Sequence, residues 1–359
     1  MRLQVVIFAL NEEPTIEAVV RGVPGEIEGV DEIAVTLIDD GFTDRTAELA
    51  RAAGAPVVSH GRNRGLGWAF QTGVREALEH DADIMVTVDG DGQFDARQIP
   101  DLIGPILAGK ADMTTCSRFI DSEPTPRMPR IRVLGNAWVA SLVSSLTRQR
   151  FFDVSCGYRA YNRECLITLN LMGRFTHTHE AIMEVTFKGL RVEEVPLPVQ
   201  GVRSYGKSRI APNVVSYGWR TLRIMLGTLL NHRPHHLFGV AALLSLALAV
   251  LLSVLGSLTW FTKGTFIKAF MLTGGFFLGL SVVLALFGLQ ARAIRRNQFL
   301  LESLLYELRA RTRTWPRRAM TINKAESEAR RGPRGPTSSG TPASPRAARD
   351  RRSRAKRRS

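Results

Sequence analysis

Cysteine is scarce: Cys116, Cys156 and Cys165 are the only three in 359 residues. The odd count and the absence of any CxxC pair exclude a disulfide framework and a cysteine zinc site, and they fit a reducing compartment. The three read as small apolar fillers. The first residues do not read as a secretory leader. MRLQVVIFALNEE carries one Arg and a short apolar run, then acids with no small-residue cleavage site, so it reads as a buried first strand. NRGLGWAFQTGV, residues 63–74, does not have the GxxxxGK[ST] spacing, so that glycine-rich turn is no P-loop. Acids are nearly absent from the C-terminal stretch. From Arg311 to Ser359 there are 16 Lys+Arg against 3 Asp+Glu, a net of +13, which leaves +2 of the chain's +15 for the rest. The basic character therefore belongs to a tail, and the body carries no signal for specific nucleic-acid binding.

Short apolar runs at Leu3–Ala9, Ile33–Ile38, Pro56–Ser59, Ile84–Val88 and Met113–Cys116 alternate with helical patterns, notably Thr43–Ala53 and Leu66–Glu79. This predicts an α/β domain over 1–208 with a mostly parallel sheet covered by helices on both faces. Residues 130–208 complete it as mixed α/β, with an extended segment marked by Pro196 and Pro198. Such sheets place their sites at the carboxyl ends of the strands. Residues 209–236 read as juxtamembrane interfacial helices. Leu237–Phe261 and Ala269–Ala291 contain no charged residue, and each exceeds the roughly 20 residues that span a bilayer core. With only Thr262–Lys268 between them, they predict a two-helix transmembrane hairpin over 237–291. Arg220, Arg223 and Arg233 precede it and Arg292, Arg295 and Arg296 follow it, which predicts cytoplasmic flanks and termini and a cytoplasmic α/β domain. A cytoplasmic helix over 292–311 and a disordered basic tail over 312–359 end the chain. Such a tail suits anionic lipid, with a solvated, non-specific tail as the alternative reading.

Three segments carry chemistry. In VTVDGDGQFD, residues 86–95, a strand delivers Asp89 and then Asp91 across a tight turn. Paired carboxylates there suit a hard cation, Mg2+ or Mn2+, with Gln93 or Asp95 as a further ligand. Position twelve from Asp89 is Pro100, which argues against a calcium loop. In LIDDGFTDRTAE, residues 37–48, Asp39 and Asp40 end a strand before a turn suited to reading a nucleotide, and Thr43 is placed as a helix N-cap. In NRGLGWAFQTGV, residues 63–74, Arg64 and Gly65 open a helix whose backbone N–H groups suit a phosphate.

Taken in order, VVIFALNEEPTI, LIDDGFTDRTAE, NRGLGWAFQTGV, VDGDGQF, CSRF, DVSCGYRAY and RSYGKSR resemble dolichol-phosphate mannosyltransferase and related polyprenyl-phosphate glycosyltransferases of glycosyltransferase family 2, over about residues 3–210. The resemblance implies a GT-A fold, a nucleotide-sugar donor and a polyprenyl phosphate acceptor. It implies that Leu10, Asn11, Glu12, Asp39, Asp40, Arg64, Gly65 and Asp89 surround the nucleotide-sugar, and that Asp89, Asp91 and Gln93 hold the metal and diphosphate. It places Arg118, Arg130 and Arg132 at the acceptor phosphate, with Arg203, Lys207, Ser208 and Arg209 in a basic loop near the phosphates. Asp153 and Glu180 are the remaining acids expected to orient the sugar or the arginines. Phe8, Phe42 and Cys116 stand where the family usually has Pro, Ser and Gly. His177 and His179, two apart, are too sparse a pair to argue a metal. GDP-mannose is the favoured donor, with UDP-glucose or UDP-N-acetylglucosamine as alternatives. A processive synthase is opposed by the lack of QxxRW, and a non-catalytic nucleotide-binding scaffold by the intact Asp89 and Asp91. Self-association is compatible with this reading.

Overall fold

A computed structural model of the chain describes residues 1–120, 130–171, 177–199, 223, 225–228, 234–264 and 268–311. Strand β1 (Arg2–Ala9) alternates its side chains between two core layers, as a central strand must. Leu3, Val5, Ile7 and Ala9 enter one layer, and Val6 and Phe8 the other. Strands β2 (Glu32–Asp39), β3 (Val57–Ser59), β4 (Ile84–Asp89), β5 (Met113–Ser117), β6 (Arg159–Asn162) and β7 (Val192–Pro196) complete a seven-stranded sheet of order β3-β2-β1-β4-β6-β5-β7. All strands run parallel except β6, which lies antiparallel between β4 and β5. The mostly parallel sheet is thus observed. The antiparallel β6 has one consequence for function: the segment entering it, Asp153–Tyr158, arrives at the edge where the parallel strands end.

One core layer is closed by α1 (Ile16–Arg21), α2 (Thr46–Ala52) and α4 (Ile99–Leu107). The other is closed by α3 (Leu66–Glu79), α5 (Arg130–Thr147), α6 (Arg163–Thr168) and α7 (Thr178–Phe187). Helix α2 starts at Thr46, three residues later than its periodicity predicts. Thr43 is not its cap: the Thr43 hydroxyl accepts from Asn11 Nδ2 and its N–H donates to Asn11 Oδ1, both at 2.8 Å. The N-cap is Arg45, with no side-chain cap, and Asp44 just before it accepts from the Thr46 N–H at 3.0 Å.

Helices α8 (Pro234–Lys263) and α9 (Lys268–Arg311) form an antiparallel hairpin. Small residues let the backbones approach. Ser245 donates to the Phe277 carbonyl at 2.8 Å, and a Cβ on Gly274 would meet Ser253 Oγ at 2.9 Å. Their outer surfaces are apolar and bare, with Leu243 68% and Leu272 80% exposed. Both helices are long and apolar enough to cross a membrane, and an apolar surface of this kind is stable only against lipid or protein. The expected helix over 292–311 is not separate: α9 runs on without a break, and its end lies on the α/β domain. There Arg309 donates to the carbonyls of Ile167 and Leu169 at 2.9 and 2.8 Å, and Tyr306 donates to Glu164 at 3.2 Å.

His177 and His179 are fully buried. The His177 ring stacks on Phe70, centroids 4.4 Å apart, and neither of its nitrogens has a hydrogen-bond partner. Burial, with the nearby Arg159 charge, holds His177 well below the ordinary histidine pKa and His179 down to about 3. Both are neutral when folded and take up protons when unfolded. Their contribution to stability is full above the unfolded value of about 6.5 and is lost as pH falls, by up to about 1.4 kcal/mol per unit per group. His177→Phe, which keeps the stack, is expected to flatten the fall in stability between pH 7 and pH 5, as measured by denaturant unfolding at the two values.

Candidate active site

The strand register puts the predicted acids on one edge. Ala9 pairs with Asp39 and Phe8 with Asp89, so Asp39 and Asp89 flank the end of β1, two strand spacings or roughly 10 Å apart. Leu10, Asn11 and Glu12 leave β1 between them. Ser117 ends β5 on the same edge, followed by Arg118, and the Asp153–Tyr158 segment enters β6 there.

Asp39 and Asp40 are builders of this edge. Asp39 accepts from the N–H groups of Gly41 and Phe42 at 2.8 and 2.7 Å and from the Ser59 hydroxyl at 2.6 Å. Gly41 has φ 97°, and a Cβ there would lie 2.6 Å from the Asn63 nitrogen, so only glycine fits the turn. Asp40 accepts from the N–H groups of Arg64 and Gly65 at 2.8 and 2.7 Å and bonds His60 Nδ1 at 2.9 Å. The N–H groups of Arg64 and Gly65, just before the helix, are therefore taken by Asp40. The helix N-terminus has its anion already, supplied by the chain. The Arg64 guanidinium lies 5.8 Å from the Trp68 ring centroid.

Asp89 and Asp91 are half-buried at the tip of β4. The turn between them is tight: the Gly90 N–H donates to the Phe8 carbonyl at 2.8 Å, Gly92 has φ 72°, and the Gln93 N–H donates to Asp91 Oδ1 at 3.0 Å. A Cβ on Gly157 would stand 3.0 Å from Asp89 Oδ2. The Asp153–Tyr158 loop thus packs its one side-chain-free residue against the Asp89 carboxylate. Asp95 is spoken for: it chelates its neighbour Arg97 at 2.8–3.1 Å, and that hydrogen bonding holds its carboxyl below the ordinary range. Two carboxylates with a nearby amide and open space suit Mg2+ or Mn2+, which keep positions for water and phosphate oxygen. Among the described residues no cluster of three His, Cys, Asp or Glu groups forms a fuller cage. Asp91 and Gln93 also line a cleft of about 870 Å³, with Thr15, Arg97 and Pro198 on its walls.

Four residues before Gly157 the same loop enters a buried ion pair. Arg118 holds Asp153 through Nε at 2.6 Å and Nη2 at 2.9 Å, and Nη2 also donates to Ser155 Oγ at 2.6 Å. Asp153 is completely buried. It is a partner of Arg118, one of the two roles the sequence allowed it. Arg130 and Arg132 fall in the first turn of α5, but their side chains, and all of Arg203, Lys207, Ser208 and Arg209, lie outside the described residues. Glu180 does not line the cleft that Asp91 and Gln93 line. It lines a separate cleft of about 660 Å³ with Trp68, Gln71, Glu184 and Arg295.

Three residues of the site went unread in the sequence. Gly157 is one. Glu194 accepts from the N–H groups of Phe152 and Asp153 at 2.8 and 2.7 Å, and burial pushes its carboxyl up against the pull of those donors. Arg159, fully buried, donates to the carbonyls of Cys156, Val154 and Thr178 at 2.7, 3.0 and 2.5 Å. It ties the loop between Asp153 and Gly157 to the start of α7. The signal for Arg159 was its position: a cation inside an apolar strand pattern must bring its own acceptors indoors.

Gly157→Ala tests how tightly Asp89 is framed. The backbone at 157 is in no left-handed conformation, so the added methyl acts on the carboxylate alone. The Mn2+ concentration for half-maximal activity is expected to rise about tenfold, with little change in melting temperature.

An open, mostly parallel α/β sheet with paired aspartates at a strand tip, beside a loop anchored by the Arg118–Asp153 pair, defines a GT-A glycosyltransferase. Residues 4–169 match the family described as "Glycosyl transferase family 2". The chain is 30% identical over 210 residues to the dolichyl-phosphate hexose transferase of Haloferax volcanii, covering 58% of this chain and 87% of that one. It is 28% identical to the undecaprenyl-phosphate mannosyltransferase of Micrococcus luteus, over 63% of this chain and all (100%) of that one. It is 26% identical to the UDP-N-acetylglucosamine--dolichyl-phosphate N-acetylglucosaminyltransferase of Methanococcus voltae, over 54% and 84%. Among solved structures, glucosyl-3-phosphoglycerate synthase from Mycobacterium tuberculosis, crystallised with Mn2+, UDP-glucose and phosphoglyceric acid, superposes with a TM-score of 0.50 at 25% identity, over 63% of this chain and 79% of that one. The protein belongs to glycosyltransferase family 2 and is a glycosyltransferase.

Proposed function

We propose that the enzyme transfers a hexose from a nucleotide-sugar, GDP-mannose before others, to a polyprenyl phosphate at the cytoplasmic surface of a membrane, with inversion at the anomeric carbon. One observation carries the reading: a single chain joins this site to a hairpin of bare apolar helices, as a lipid-borne acceptor requires. The three relatives named for dolichyl or undecaprenyl phosphate support it.

Asp89 and Asp91, helped by Gln93, would hold Mg2+ or Mn2+, and the bound ion would supply Lewis-acid neutralisation of the leaving diphosphate. Leu10, Asn11, Glu12, Asp39, Asp40, Arg64 and Gly65 form the rim around the nucleotide. Arg118, with Arg130 and Arg132 and the Arg203–Arg209 loop, gathers the acceptor phosphate and offsets its repulsion from the diphosphate. Asp153, Glu194 and Arg159 are positioning residues that keep Arg118 and Gly157 in place. The acceptor phosphate has a second pKa near ~6, so at neutral pH an unprotonated oxygen forms the new bond as the sugar–diphosphate bond breaks. No general base is needed. Glu180, in its separate cleft, is given no step. Six arginines flank the hairpin against Lys263 and Lys268 in its connection, which supports cytoplasmic placement of the domain and both termini.

The donor is the open element, since the relatives include one named for UDP-N-acetylglucosamine at similar identity. Purified full-length protein with Mn2+, undecaprenyl or dolichyl phosphate and a panel of labelled GDP-mannose, UDP-glucose and UDP-N-acetylglucosamine is expected to give lipid-extractable label with GDP-mannose. Label from a UDP-sugar alone would reassign the donor. Donor binding with no lipid label from any of the three would end the proposal.

A further inference from the structure

Helix α5 is an unusual wall for a soluble domain. One face carries Val139, Ala140 and Val143 into the core. The opposite face presents Ile131, Leu134 and Trp138, 60%, 71% and 58% exposed, followed by Ser141 and Ser145 at the same helical spacing. No acid occurs between Arg130 and Phe152, while Arg130 and Arg132 bracket Ile131 at the start of the stripe and the exposed Arg148 and Arg150 follow the helix. An apolar stripe containing tryptophan, set between arginines, has the chemistry of a helix lying in a lipid headgroup layer. A protein partner fits less well. Three side chains fall far short of the about 800 Å² per partner of a stable interface, whereas a bilayer needs no matching shape.

The helix also touches the site. Asn136, on the side turned away from the stripe, donates to the Phe152 carbonyl at 2.9 Å and accepts from Ser155 Oγ at 3.0 Å; Ser155 in turn accepts from Arg118. We infer that α5 is a further membrane contact, separate from the hairpin. Its Ile131–Leu134–Trp138 face rests in the headgroup layer of an anionic bilayer and holds the Arg118–Asp153 pair about one helix diameter, roughly 10 Å, away from that layer on the protein side. The inference rests on the membrane reading above and adds to it a surface and an orientation of the catalytic domain.

The test uses full-length protein in phosphatidylcholine vesicles with and without phosphatidylglycerol. The three native cysteines are buried, so an environment-sensitive fluorophore goes selectively to Leu134→Cys, to Leu251→Cys on the bare face of α8, or to Glu26→Cys on an exposed loop. The label at 134 is expected to be quenched by lipid carrying a nitroxide near the headgroup, more strongly with phosphatidylglycerol present. The label at 251 should respond to a deep nitroxide, and the label at 26 only to aqueous iodide. If 251 is lipid-quenched but 134 answers only to iodide, the α5 contact is wrong and the membrane reading stands. If 134 is shielded from both quenchers, protein covers the stripe and the inference is equally overturned. If 251 itself answers only to iodide, the membrane reading falls as well.

Discussion

Asp91→Asn is expected to reduce sugar transfer by about a thousandfold or more, while the protein folds as before. The substitution keeps volume and keeps an oxygen to accept from the Gln93 N–H, the bond that shapes the turn at 3.0 Å. What it removes is one unit of negative charge from a cation site with two carboxylates. A group that stabilises the leaving diphosphate acts in the transition state, where losing a fixed electrostatic partner commonly costs a factor of about 10² to 10³, and loss of the ion itself costs more. The defect should be partly relieved by raising Mn2+, because affinity is weakened along with catalysis. Asp95→Asn is the matched control. That carboxylate lies four residues along the same loop but is committed to Arg97 on the surface, so transfer should remain within about twofold, since surface changes away from special features have small effects. Transfer by Asp91→Asn at near the native rate, measured as lipid-extractable label across a Mn2+ titration, would remove the metal assignment.

The contrast between Asp91 and Asp95 also marks how far residues can be read from a sequence. Strands β1, β2, β3, β4 and β5 announce themselves as short apolar runs, and with them the edge on which the acids gather, because parallel topology makes that edge common to all of them. Strands β6 and β7 do not. RAYN and VEEVP are short and carry charge, and their charges have indoor or edge partners that only the assembled sheet supplies: backbone carbonyls for Arg159, and the N–H groups of Phe152 and Asp153 for Glu194. The same limit applies to Asp40. An acid before a glycine turn looks the same whether it will meet a ligand or, as here, the start of a helix 24 residues on. The hairpin was fully legible, since two uncharged runs of that length have few other uses. The unbroken passage of α9 onto the catalytic domain was not, because polar residues beyond a span say nothing about where the helix ends.

Breaking the Arg118–Asp153 pair from either side is expected to destabilise the domain by about 3–5 kcal/mol, since each single change strands a buried charge. Asp153 is completely buried and the Arg118 side chain is 15% exposed, so Asp153 has no water to replace its partner and Arg118 has little. Stability alone does not reveal whether Arg118 also serves the reaction. The double substitution Arg118→Met with Asp153→Leu separates the two roles. Removing both charges together and filling the space with apolar atoms commonly restores stability to near the native level. If Arg118 holds the acceptor phosphate, the refolded double variant should still transfer about 10²-fold or more slowly. The loss should lie in the dependence on polyprenyl phosphate, while affinity for the nucleotide-sugar, whose rim lies across β1 and β2, is unchanged. A double variant that regains both stability and transfer would show that the pair only braces the loop carrying Gly157, and the acceptor phosphate would then have to be held by the arginines of α5 and the Arg203–Arg209 loop.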